Sequence, residues 1–143
     1  MSLNGRLRQG LISCALAVSR DGKTPMYFIA DIERVYTERG KEIFPQRNWL
    51  NRMINKVTSL KDPKYSHRGL DKVLKELLGP MKMTDCLKPI FVTTYDLNHN
   101  EAILFKSRKA QKDPSCNVML YDICRATSAG PTYLPAYEFK YEN

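Results

Sequence analysis

A chain of 143 residues and 16.5 kDa holds one domain of ordinary size and can bury about 70% of the surface its unfolded form exposes. Its 43% hydrophobic and 27% charged residues are a globular composition, which excludes a disordered chain. The formal charge is +8, and no apolar run approaches the roughly 20 residues of a membrane-spanning helix.

The first apolar run is Leu11 to Val18, rich in small side chains, and it predicts a buried helix. Ser13 falls inside it and is expected to be buried or bonded back to a carbonyl. Arg6 and Arg8 precede the run, as in a secretion signal. The run is short, however, and Arg20-Asp21-Gly22-Lys23 is no small-residue cleavage site, so a signal peptide is rejected. Asp21-Gly22-Lys23 and Pro25 predict a turn. Ile29 to Arg39 reads as a helix with Ile29, Ile32, Val35 and Tyr36 on one face and Gly40 as its stop. Ile43, Phe44 and Pro45 form an apolar plug. Trp49, Leu50, Met53, Ile54 and Val57 lie at helical spacing with Arg47, Arg52 and Lys56 off the stripe. Such a helix either lies on a membrane surface or packs on a core.

The clearest helix carries Leu70, Val73, Leu74, Leu77 and Leu78, and Gly79-Pro80 ends it. Ile90 to Tyr95 is a β-rich run apolar on both faces, which predicts a strand inside a sheet. Asp96 to Asn100 is turn chemistry and Ala102 to Lys106 a second strand, so the two form a hairpin. Lys106 to Asn117 reads as a surface loop, Val118 to Thr127 as a helix, and Tyr137 to Tyr141 as a closing strand.

Cys14, Cys86, Cys116 and Cys124 include no C-x-x-C pair, so a zinc ribbon or thioredoxin-type site has no support. They are read as reduced thiols in an intracellular setting. His67 and His99 stand apart in polar surroundings and read as surface histidines. Neither a cofactor nor a metal is expected. From Gln46 to Lys75 eight cations stand against Asp62 and Asp71, a local charge of +6. That is either a footprint for an anionic partner or a solvated helical face. The tyrosines and tryptophan do not alternate with cations as a nucleic-acid stacking surface requires, so nucleic acid is not expected as a partner.

The segment from Asp122 to Pro135, with its core Arg125-Ala126-Thr127-Ser128-Ala129-Gly130-Pro131-Thr132-Tyr133-Leu134-Pro135, closely resembles the A-[TS]-S-A-A-P-x-[YF]-F-P run of patatin-like phospholipases. Tyr36 to Pro45, Lys64 to Gly79 and Pro89 to Phe105 resemble the same family in the same order. The resemblance is strongest over residues 10–139, so the whole chain, 1–143, is read as a partial patatin-like domain. It implies an α/β sandwich with a central, mostly parallel sheet flanked by helices. It also implies lipid acyl hydrolysis by a Ser-Asp dyad. The serine of such a dyad lies in a G-x-S-x-G elbow, the aspartate in D-G-[GA], and a glycine-rich loop supplies the oxyanion hole.

This sequence departs from that pattern. Gly5 and Gly10 match the elbow glycines, but the nucleophile position is Leu7, which has no atom that can attack an ester. Only Met1 to Asn4 precede the elbow, and no D-G-[GA] follows the matched segments, so the first strand, the oxyanion loop and the catalytic aspartate are expected to be missing. Asp21-Gly22 is followed by Lys23 and lies on the wrong side of the match. Ser128 lacks the glycine two residues before it and reads as structural. No catalytic residue is therefore assigned.

The expected function is a fragment or remnant of a patatin-like lipid acyl hydrolase, inactive alone, with phospholipid or another acyl lipid as the family's ligand. The alternative is a non-catalytic basic module on an anionic membrane, with Arg47, Arg52, Lys56, Lys61 and Lys64 as candidate contacts. An incomplete sheet exposes unpaired edges, so a partner chain completing it is also expected. The expected location is cytoplasmic, with peripheral membrane association as the variant.

Overall fold

The computed structural model describes residues 3–43, 66–130 and 134–141, and for 3–9 the backbone alone. The chain is α/β. Helices α1 (Leu3–Ala17), α2 (Ile29–Ile43) and α3 (Arg68–Leu78) come first. A 3-10 turn (Met83–Asp85) leads to strands β1 (Phe91–Asp96) and β2 (Glu101–Lys106). Helix α4 (Ser107–Lys112), a second 3-10 turn (Pro114–Cys116) and helix α5 (Leu120–Ser128) follow.

Helix α1 lies in the middle of the core. Leu11 and Cys14, with Val18 just past the helix end, are fully buried in a cluster that includes Leu120, Ile123 and Cys124 of α5. Each leucine buried this way contributes about 1.5–3 kcal/mol. The run of α1 from Leu11 to Ala17 is apolar nearly all round, yet Ile12 and Leu16 are only half-buried. Ser13 is exposed, which removes burial from the two expectations for it. Close approach between α1 and α5 depends on Gly10, where a Cβ would stand 2.6 Å from the Thr127 methyl.

In α2 the carboxylate of Asp31 accepts from the Phe28 N–H at 2.9 Å and closes the first turn. Ile32 is buried, whereas Ile29 is 73% exposed and does not belong to the inner face. Gly40 does not stop the helix, which runs on to Ile43. The tertiary contacts there outweigh one glycine. Ile43 is fully buried, and Glu42 pairs with Arg39 at 2.9 Å and with Lys72 of α3 at 2.9 Å. Arg39 also bonds Glu76 of α3. The two helices cross so closely that a Cβ on Gly69 would sit 1.9 Å from the Glu42 carbonyl oxygen.

Helix α3 buries Leu70, Val73, Leu74, Leu77 and Leu78, the five positions its periodicity picks out. Gly79, at φ 45°, closes it by donating its N–H to the Lys75 carbonyl at 2.9 Å. The stripe from Trp49 to Val57 lies outside the described residues, as do Phe44 and Pro45.

The strands form the expected hairpin, antiparallel, with Phe91 opposite Lys106 and Asp96 opposite Glu101. Asp96 accepts the N–H groups of Asn98 and His99 and shapes the turn. Val92 and Phe105 face the core. The other face is open, with Phe91 at 71%, Tyr95 at 56% and Leu104 at 42% exposure. Among the described residues these two strands are the whole sheet.

Two further stretches differ from the sequence reading. The expected loop after β2 is helix α4, anchored by buried Ser107 and Ala110 three residues apart, while Arg108, Lys109 and Lys112 stay in water. Small side chains give the period too little hydrophobic weight to show. Tyr137 to Tyr141 forms no strand. It is held by side chains instead: Phe139 and Tyr141 lie 6.1 and 5.2 Å from the Phe105 ring.

Two glycine substitutions separate the roles of these residues. Gly69→Ala is expected to lower the unfolding free energy by about 1–3 kcal/mol, since the new methyl meets backbone. Gly40→Ala, in open space within a helix, is expected to raise it by roughly 0.5–1 kcal/mol. Urea unfolding followed by circular dichroism reads both.

Candidate active-site region

The elbow of the sequence reading falls inside α1. Gly5, Leu7 and Gly10 all lie within the continuous helix Leu3–Ala17. Of the three, Gly10 has a described role, the packing on Thr127. Its carbonyl also receives the Cys124 thiol, with sulfur and oxygen 3.7 Å apart.

Ser128 ends α5 beside that contact. It is 1% exposed, and its hydroxyl donates to the Cys124 carbonyl at 2.5 Å. A serine in that position has no open approach for an ester and no base beside it. Two other serines do bond aspartates. Ser19 Oγ donates to Asp21 Oδ1 at 2.8 Å, and Ser115 Oγ to Asp113 Oδ1 at 2.7 Å. Both are turns between residues two apart. Asp21 also takes the N–H groups of Lys23 and Thr24 and the Thr24 hydroxyl. Those donors, the Thr24 and Lys23 amides above all, hold its carboxyl far below the usual range. Asp113 is lowered in the same way by the Ser115 hydroxyl and amide. A carboxylate so satisfied is a poor base for activating a hydroxyl.

The thiols offer no nucleophile in the core. Burial pushes Cys86 up to about 12. Cys124 is raised by its hydrogen bond with Cys14 and by burial. Such thiols stay protonated and inert at neutral pH. His99 is raised by its bond to Asp96, at 2.7 Å, on an exposed turn. Among the described residues no group of three or more His, Cys, Asp or Glu side chains is arranged to hold a metal ion. The described helices also include none long and apolar enough to cross a membrane. Arg47, Arg52, Lys56, Lys61 and Lys64 lie outside the described residues.

What the region does contain is a polar hub around Arg125, which the sequence reading did not single out. Its side chain is 2% exposed. Nε donates to Asp71 Oδ1 on α3 at 2.8 Å, and Nη2 donates to the Pro135 carbonyl at 3.3 Å. The guanidinium also lies 5.3 Å from the centre of the Tyr137 ring. Tyr137 in turn donates to Asp122 at 2.6 Å, and burial and that carboxylate push its phenol up. One side chain thus joins α3, α5 and the segment after the A-T-S-A-G-P run. A lone arginine between Ile123-Cys124 and Ala126 was the available signal.

The helices and the hairpin define an α/β domain. A family model for patatin-like phospholipases matches residues 10–143, and the chain belongs to that family. It is 34% identical over 131 residues to patatin-like protein 1 of Oryza sativa subsp. indica, which covers 92% of this chain and 31% of that protein. It is 35% identical over 130 residues to patatin-like protein 4 of Arabidopsis thaliana, covering 91% and 32%. A 28% identical relative over 130 residues, covering 91% and 32%, is the probable inactive patatin-3-Kuras 1 of Solanum tuberosum. The chain spans about a third of the length of these curated relatives.

Arg125→Ala is expected to destabilise the chain by about 3–5 kcal/mol, because half-buried Asp71 is left with only the His67 ring, 3.8 Å away. A double-mutant cycle with Asp71→Ala, read by urea unfolding, is expected to show coupling well above that of an exposed pair.

Proposed function

We propose that this chain is the middle portion of a patatin-like lipid acyl hydrolase domain and carries no catalytic dyad of its own. The reading rests on Leu7, a side chain without a heteroatom, which the resemblance of Gly5 to Gly10 to a G-x-S-x-G elbow would put at the nucleophile position. The satisfied state of Ser128, and the turn roles of Asp21 and Asp113, support it from the chemistry of the remaining candidates. In this reading the central, mostly parallel sheet is completed by polypeptide outside these residues, in a partner chain or a longer product. The ligand class is phospholipid or another acyl lipid, and the setting is cytoplasmic or peripheral to a membrane.

A fluorogenic short-chain ester assay tests the absence of catalysis. Hydrolysis is expected to equal the buffer blank, and to stay there in Ser128→Ala and Ser13→Ala. Turnover that survives both substitutions overturns the reading.

A second reading rests on the charge of +6 between Gln46 and Lys75. Here the chain is a lipid-binding module that meets an anionic surface through Arg47, Arg52, Lys56, Lys61 and Lys64. Each cation near such a surface adds about 1 kcal/mol. In a liposome flotation assay, it expects the chain to rise with anionic vesicles and to be left behind by neutral ones. Equal partitioning removes it.

A further inference from the structure

The hairpin has an open edge as well as an open face. The Ser107 N–H donates to the Ile90 carbonyl at 3.0 Å, so Ile90 turns its backbone groups toward the β2 side. The alternation of an antiparallel ladder then gives Val92, Thr94 and Asp96 to β2. The amides of Phe91, Thr93 and Tyr95 are left on the outer edge of β1. Among the described residues one hydrogen bond reaches that edge, from Thr127 Oγ1 to the Thr93 carbonyl at 2.8 Å. This bond confirms the parity, and it leaves the Thr93 N–H and the backbone groups of both neighbours without a described partner.

The same residues supply the open face. Phe91, Thr93 and Tyr95 of β1 stand opposite Lys106, Leu104 and Ala102 of β2. All six are exposed, and Lys106 is the single charge among them. Strands that end in water ordinarily guard the edge with charges, proline or a bulge. The three outer-edge positions of β1 carry none of these, and a two-stranded hairpin is itself a marginal sheet.

We infer that the outer edge of β1 is a docking seam for a further β-strand, supplied by the part of a patatin-like domain that this chain does not contain. The inference rests on the partial-domain reading above and deepens it by fixing where the domain is joined. The occupant is polypeptide, because unpaired amides at alternate residues fit another strand's backbone and no lipid tail can satisfy them. The chain matches about a third of each relative's length, so the family's proteins hold ample sequence to supply the strand. The incoming strand bonds Phe91, Thr93 and Tyr95, and apolar side chains on it or behind it cover the Phe91, Tyr95 and Leu104 face. The Thr93 carbonyl keeps a second lone pair beside the Thr127 hydroxyl for this bond.

Two measurements test the seam. In amide hydrogen exchange on the monomeric chain, Phe91, Thr93 and Tyr95 are expected to exchange freely while Val92 and Thr94 are protected. Equal protection of both sets means that the edge is already paired, and overturns the inference. The second measurement co-expresses this chain with a tagged form of the rice patatin-like protein 1 from which the matched third has been deleted. The rice protein's own third serves as the control for a competent partner. This chain is expected to be captured, and Thr93→Pro, which removes an outward N–H and no bond to β2, is expected to weaken capture about tenfold. Phe91→Lys with Tyr95→Lys, at two exposed positions, is expected to do the same. Capture that ignores both variants overturns the seam and leaves the partial-domain reading standing. Capture of the control but not of this chain overturns both.

Discussion

The pair of buried Arg125 and half-buried Asp71 is the constraint on which the arrangement of the helices depends. Taking a guanidinium out of water costs several kcal/mol unless its donors are satisfied. Here Asp71, the Pro135 carbonyl and the Tyr137 ring share that task, and Nη1 has no partner among the described residues. The pair is therefore a modest source of net stability and a strong source of geometry. Rotating α5 by even a small angle would leave the charge buried and unpaired. Its neighbours in the helix, Ile123 and Cys124, are then fixed against α1. The Gly10 contact with Thr127 can form because that rotation is set.

The same logic explains which parts of the fold were legible in the sequence. Helix α3 shows at once because five leucine or valine side chains repeat at helical spacing and all of them are buried. The hairpin shows because β-branched and aromatic residues flank a turn of Asp, Asn and His. Gly40 misleads because propensity is a weak term, about 1 kcal/mol, against the burial of Ile43 and the ion pairs of Glu42. Helix α4 is hidden because its inward residues are Ser107 and Ala110. Tyr137, Phe139 and Tyr141 alternate as in a strand, but the alternation serves ring packing on Phe105 and Tyr121 with no ladder behind it.

The candidate site is legible in a different sense. The resemblance to the family's elbow singles out Leu7 from the sequence, and a leucine cannot do a serine's chemistry in any fold. It does not reveal how the remaining serines and aspartates are spent. Ser19 with Asp21, and Ser115 with Asp113, make hydrogen bonds of the length a dyad would need. What disqualifies them is the number of other donors on each carboxylate, which comes from backbone turns and is invisible to a search for spaced residues.

Scaffold and chemistry are thus separable in this chain. Gly10, Gly69, Asp71 and Arg125 each answer a packing or desolvation demand that would exist whether or not an ester were ever bound. Such demands shape the fold, and they carry no information about turnover. The open hairpin follows from the same separation. A sequence that retains strand residues suited to both faces of a sheet, with a single lysine on the outer one, keeps the demand for a neighbour. The backbone amides of Phe91, Thr93 and Tyr95 express that demand more specifically than the apolar face does. Apolar surface can be hidden by many means, whereas a row of alternate N–H and C=O groups is matched by another strand.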